Sequence, residues 1–115
     1  MITTTINLEL SEEYMADMLT SAFEGGINYW ASLKGPYTVK TVDDFVEGKT
    51  KSIKIVDMED KERAYKLTIS KIRKGLKTIH NKYPEHYSSI ITEDFDAITT
   101  DVLIQVALFE EIVYG

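Results

Sequence analysis

A chain of 115 residues, 43% apolar and 28% charged, with two prolines and six glycines, has the make-up of one compact domain over residues 1–115, not of a disordered or fibrous protein. It contains no cysteine, which excludes a disulfide framework, thiolate metal sites and thiol nucleophiles. The net charge is −6, but all thirteen Lys and Arg lie between Lys34 and Lys82. Residues 1–33 therefore carry −5, residues 34–83 set thirteen bases against seven acids for +6, and residues 84–115 carry −7. Such a charge dipole fits an oriented partner, head-to-tail self-association, or neighbouring elements that neutralise each other.

Met1 to Leu10 alternates, with Ile2, Ile6, Leu8 and Leu10 on one parity and Thr3, Thr5, Asn7 and Glu9 on the other. This pattern predicts a strand with one buried face. Ser11 then offers an N-cap, with Glu12 and Glu13 in a first turn where the helix dipole favours acids. Tyr14, Met15, Met18, Leu19, Ala22 and Phe23 form the apolar stripe of the helix that follows, and Gly25 is placed to end it in a left-handed conformation. Gly26 to Leu33 is a short aromatic segment, either an irregular loop or the start of another helical turn.

After Gly35 and Pro36, Tyr37 to Val42 is expected to be extended, and Thr41 with Asp44 to cap a single helical turn that ends at Gly48. Lys51–Val56 and Arg63–Ile69 alternate around a polar connection and predict a β-hairpin, with Ile53, Ile55, Tyr65, Leu67 and Ile69 inward and Lys54, Lys66 and Thr68 outward. Ser70 is expected to cap a helix whose inner stripe is Ile72, Leu76, Ile79 and Tyr83 and which Pro84 stops. A polar loop over Glu85–Thr92 leads to the last helix, with Thr92, Asp94 or Asp96 as its cap. Val102 to Phe109 is apolar at every position but Gln105, so this helix should be covered on most sides and form the spine of the core, with Ile98, Val102, Val106 and Phe109 buried. The expected fold is α+β: a small antiparallel sheet, built from the N-terminal strand and the central hairpin, with about three helices packed on one face.

Catalytic and cofactor signatures are missing. His80 and His86, with Asp94 or Asp96, match no standard ligand spacing, and the adjacent acids at Glu12–Glu13, Asp43–Asp44, Glu59–Asp60 and Glu110–Glu111 read as solvated faces and turns. No serine lies in a nucleophile elbow, and Gly25 and Gly26 precede no lysine. No catalytic residue, metal or cofactor is expected. Lys49, Lys51, Lys54 and Lys66 could share an outer sheet face near Tyr37, yet the interleaved acids argue against nucleic acid as a partner. The longest apolar run is far short of the roughly 20 residues that cross a bilayer, and the first residues lack a signal-peptide pattern; a cytoplasmic protein with no membrane partner is expected.

Two features point instead to binding. Gly25, Gly26, Asn28, Tyr29 and Trp30 bring backbone freedom, an amide and two large amphipathic rings into six residues, as recognition surfaces often do; the bland alternative is a glycine cap with aromatics closing the core. Asp101 and Gln105, spaced i and i+4, set one polar line on an apolar helix, aimed at the aromatic loop or Tyr114, or else at solvent.

The segment EGGINYW, the helix start from TIS to Gly75 and the ending DVLIQVALFEEIVYG together resemble a group of small uncharacterised phage and prophage proteins; where a glycine is expected in that ending, this chain has Glu110. The resemblance implies an accessory viral role in the host cytoplasm and supplies no chemistry. The leading expectation is a non-enzymatic protein that blocks a host complex, such as a defence system, by protein–protein contact. The alternatives are a module that binds or sequesters a small molecule or nucleotide, and a self-assembling homo-oligomeric component.

Overall fold

The computed structural model describes residues 1–3 and 7–115. In chain order the elements are helix α1 (Glu12–Ser21), which runs into a π-helical turn (Ala22–Gly26), strand β1 (Ala31–Leu33), helix α2 (Val39–Val46), strands β2 (Ile53–Asp57) and β3 (Ala64–Leu67), and helices α3 (Ile69–Lys82), α4 (Pro84–Ile91) and α5 (Ala97–Phe109). Among the described residues the fold is α+β, with five α-helices and an antiparallel three-stranded sheet in the order β1-β2-β3.

The hairpin forms in the expected place, with Ile53 opposite Leu67 and Ile55 opposite Tyr65. Ile53, Ile55 and Leu67 are buried and Lys54 and Lys66 exposed, as period two demands. The third strand is not the N-terminal segment. Residues 1–3 and 7–10 carry no strand, Ile2 is 93% exposed, and Ile6 lies outside the described residues. The free edge of β2 is taken by the aromatic segment instead, with Ala31 opposite Asp57 and Leu33 opposite Ile55. Alternation marks a segment able to pair, but the partner edge decides which segment does.

Tyr37–Val42 is not extended. Thr38 is itself the N-cap: its amide donates to Thr41 Oγ1 at 3.0 Å, so α2 begins at Val39 and buries Val42 and Phe45 one turn apart. Gly48, at φ +81°, ends this stretch in the left-handed region that glycine tolerates. For α3 the cap is Thr68, whose Oγ1 accepts the Lys71 amide at 3.2 Å, and not Ser70. Pro84 does more than stop α3. It sits at the first turn of α4, where a missing N–H costs nothing, so the expected loop over Glu85–Thr92 is a helix that buries Ile90.

The last helix is the spine. Asp96 caps it by accepting the Thr99 amide at 2.9 Å, a bond that holds the Asp96 carboxyl below its usual range. Every residue from Thr99 to Ala107 is buried. Helix α3 can lie close against it because Gly75 has no side chain: a Cβ there would stand 3.0 Å from Ala107 Cα and N. Ile98 departs from expectation, 66% exposed on the first turn of α5, before the helix passes beneath its neighbours.

Candidate functional site

The site begins where α1 widens into the π-helical turn. The Ile27 amide reaches back to Ala22 O at 3.0 Å, the wider ring that often marks functional positions in helices. Gly26 is required here, since a Cβ would lie 2.8 Å from Ala97 O and 2.9 Å from Thr100 Oγ1; the turn presses directly on the start of α5. Gly25 is not the left-handed terminator expected of it, because the chain continues through the π turn with no positive φ at that position. The aromatic segment first makes one further helical turn, in which the Trp30 and Ala31 amides donate to Ile27 O at 3.0 and 2.9 Å, and then ends as strand β1.

This geometry brings the two aromatics onto the polar line of α5. Trp30, 4% exposed, donates from Nε1 to Asp101 Oδ1 at 2.8 Å, and the Tyr29 hydroxyl donates to Asp101 Oδ2 at 2.6 Å. Gln105, fully buried, shares its two Nε2 hydrogens among Asp101 Oδ1 at 3.0 Å, Tyr114 O at 3.1 Å and the Tyr29 hydroxyl at 3.2 Å. Its Oε1 accepts the amides of Val113 and Tyr114, both at 2.8 Å. Asp101 and Gln105 thus face the aromatic segment and the tail rather than solvent.

The tail reaches this position because Glu110, at φ +65°, takes the left-handed conformation that ends α5. The turn occurs without the glycine expected there. Tyr114 then stacks on Trp30 with ring centres 4.6 Å apart and planes 8° from parallel, and its hydroxyl donates to Asp57 Oδ2 at 2.7 Å. Asp57 also accepts the amides of Glu59 and Asp60, so the hairpin turn, the tail, the aromatic segment and α5 are tied together. Among the described residues no buried side-chain nitrogen or oxygen lacks a partner.

Above this network lies an open groove of about 580 Å³. Its lining combines Gly25, Gly26, Tyr29 and Asp101 with residues that sequence reasoning did not assign to a site: His86, Ala97, Ile98, Val102, Ile112, Tyr114 and Gly115. Tyr29 is 54% exposed and Ile98 66%; His86 is fixed by a 3.0 Å hydrogen bond between Nδ1 and Thr99 Oγ1. Trp30 and Gln105 lie beneath the groove as its support. Asn28 is exposed, takes part in no side-chain hydrogen bond among the described residues, and stands outside the lining. Both oxygens of Asp101 are held by donors, so the carboxylate is occupied with positioning. His80 packs edge-on against Tyr87 at 4.7 Å, apart from the groove, and among the described residues no group of three His, Asp or Glu is placed to hold a metal.

Burial and the bond to Asp101 push the Tyr29 hydroxyl up to about 12, and the bond to Asp57 with burial does the same for Tyr114. Because the folded values lie above the ordinary 10, the stability these phenols contribute is complete below pH 10 and is lost as pH rises from 10 to 12, where the unfolded chain ionises first. Thermal unfolding is expected to show a midpoint falling steeply over that interval, and less steeply in Tyr114→Phe; equal slopes would contradict the assignment. The chain matches no family model, no curated protein and no solved structure.

Proposed function

We propose that the protein is a non-enzymatic binding protein that works by protein–protein contact through the groove over Asp101. The observation that carries this reading is the apolar lining, with Tyr29, Ile98 and Ile112 all substantially exposed, set on a network in which, among the described residues, every buried side-chain nitrogen and oxygen is paired. Apolar side chains exposed around a preorganised platform are how contact surfaces gain affinity without an ordering cost.

All lining residues come from the two segments that contain no Lys or Arg, and Glu24, Asp96 and Glu111 each precede a lining residue directly. The partner chemistry that complements this is an apolar anchor flanked by basic side chains. The setting we propose is a phage or prophage accessory protein that blocks a host complex in the host cytoplasm, a setting supported by the resemblance in sequence.

Capture from a bacterial lysate by the wild type and by Ile98→Asp tests the reading. Ile98 is exposed, so the variant folds; specific capture of a defined complex should be lost. Trp30→Ala is the wrong probe, because Trp30 is core. Unchanged capture by Ile98→Asp, nucleotide binding that disappears in Tyr29→Ala, or a mass that rises with concentration would each replace this reading, the last two with the ligand-binding and self-assembling alternatives.

A further inference from the structure

A second surface, built from the basic middle of the chain, has no part in the groove. Lys54 stands directly opposite Lys66 in the β2–β3 register. Continuing the β1–β2 register past Leu33 sets Lys34 opposite Lys54, where the Lys34 amide donates to Lys54 O at 2.9 Å. Residues directly opposite each other on neighbouring strands project from the same face, with Cβ atoms about 4.5 to 5.5 Å apart. Three exposed lysines therefore form one row across the whole sheet.

Like charges directly opposite across strands repel and destabilise a sheet. No ion pair offsets the repulsion here: among the described residues none of Lys34, Lys54 and Lys66 lies within salt-bridge distance of an acid, whereas Lys40, Lys49 and Arg63 each do. The rest of this face is small and uncharged, with exposed Ser32 and Ala64 flanking half-buried Val56. At the β1 end the row opens onto a hollow of about 540 Å³ between the start of α2 and the approach to β2, lined by Lys34, Lys54 and Lys40 with the hydroxyls of Thr38, Thr50 and Ser52. Asp44 also lines it, 3.8 Å from Lys40, which leaves Lys34 and Lys54 as its unpaired charges.

We infer that the lysine row and the adjoining hollow form a binding site for a compact polyanion carrying two or three linked phosphate groups. Ammonium groups neutralise the phosphates and the hydroxyls donate to the remaining oxygens, and the bound anion removes the repulsion that the empty row carries. The hollow has the size of small-ligand sites, which run from about 300 to 1,000 Å³. The positive strip is only three strands wide, roughly 10 Å at a strand spacing of about 4.8 Å. Asp44 is the acid within the hollow, so a compact polyphosphate fits a strip this short better than an extended nucleic-acid backbone does.

Calorimetry and thermal unfolding of the full chain with sodium tripolyphosphate test this, with orthophosphate and a short oligothymidylate as comparisons. Tripolyphosphate should bind, bind more tightly than either comparison, and raise the unfolding midpoint with concentration. Lys54→Met and Lys34→Met should each weaken it about tenfold or more, the loss expected for one charge-assisted contact, while Lys74→Met on α3 leaves it within about twofold. Without ligand, Lys54→Met should melt at or above the wild type, because the central repulsive charge is gone. Wild-type affinity in both row variants, no binding of tripolyphosphate, or tighter binding of the oligothymidylate would each overturn the proposal.

Discussion

Ile104→Asp is expected to abolish cooperative folding, while Ile98→Asp, six residues earlier on the same helix, leaves the protein folded. Ile104 has no exposure at all and Ile98 is 66% exposed. At Ile104 the substitution forfeits about 1.5 to 3 kcal/mol of apolar transfer and buries a carboxylate without a partner, a further penalty of several kcal/mol. Together these approach a typical net stability of about 5 to 15 kcal/mol. Ile104 is the stricter probe of the spine than Val102, for Val102 lines the groove and an aspartate there has a route to water. Circular dichroism during urea unfolding reads the result. A sigmoidal transition in Ile104→Asp with a midpoint near the wild type would mean that α5 is not the core.

Asp101→Ala is expected to cost about 3 to 5 kcal/mol, as hydrogen bonds to a charged group contribute about 1.5 to 3 each. The variant leaves the buried Trp30 Nε1–H without its acceptor and takes from Gln105 the nearest of its three acceptors; the Tyr29 hydroxyl, at the groove, can turn to water. Asp101→Asn keeps an acceptor for Trp30 and should lose only about 1 to 2 kcal/mol. Tryptophan fluorescence should shift to the red in the alanine variant as Tyr114 loosens from the indole face. If urea unfolding places Asp101→Ala within about 0.5 kcal/mol of the wild type, the range of an ordinary surface change, the network is not what anchors the tail.

The two predictions concern one helix, and the sequence made different parts of it readable. Its burial was legible because a nearly unbroken apolar run leaves no polar side to expose. The polar line was visible as Asp101 and Gln105 at i and i+4, but its direction was not, because periodicity carries no information about what a neighbouring segment donates. The site was legible to the same degree. Gly26, Tyr29, Trp30, Asp101 and Gln105 do converge, yet Trp30 and Gln105 turn out to support the groove and Asn28 stands apart. Ile98 and His86 join it through the tertiary arrangement, Ile98 from the first turn of α5 and His86 from α4, a helix that polar composition had disguised as loop.

Local rules with one dominant cause are legible in the sequence: the Ser11 cap, the inward Ile53, Ile55 and Leu67 and outward Lys54 and Lys66 of the hairpin, the stripes of α1 and α3, and Asp96 among the caps considered for α5. Elsewhere longer-range context decides: Ser70 and Thr68 both carry a hydroxyl, and Thr68 becomes the cap because β3 ends at Leu67. Pro84 both ends and begins helices.

The α+β class, the central hairpin, the buried last helix and the partition of charge each follow from residue periodicity or composition. Which segment completes the sheet, where the tail goes and which side chains line the groove depend on contacts between residues far apart in the chain. The N-terminal residues alternate better than Ala31–Leu33, but β1 is carried to β2 by the Trp30–Asp101 anchor, with the Met58 amide donating to Trp30 O at 2.9 Å. Pattern alone does not make a strand, because the pairing is set by contacts far apart in the chain.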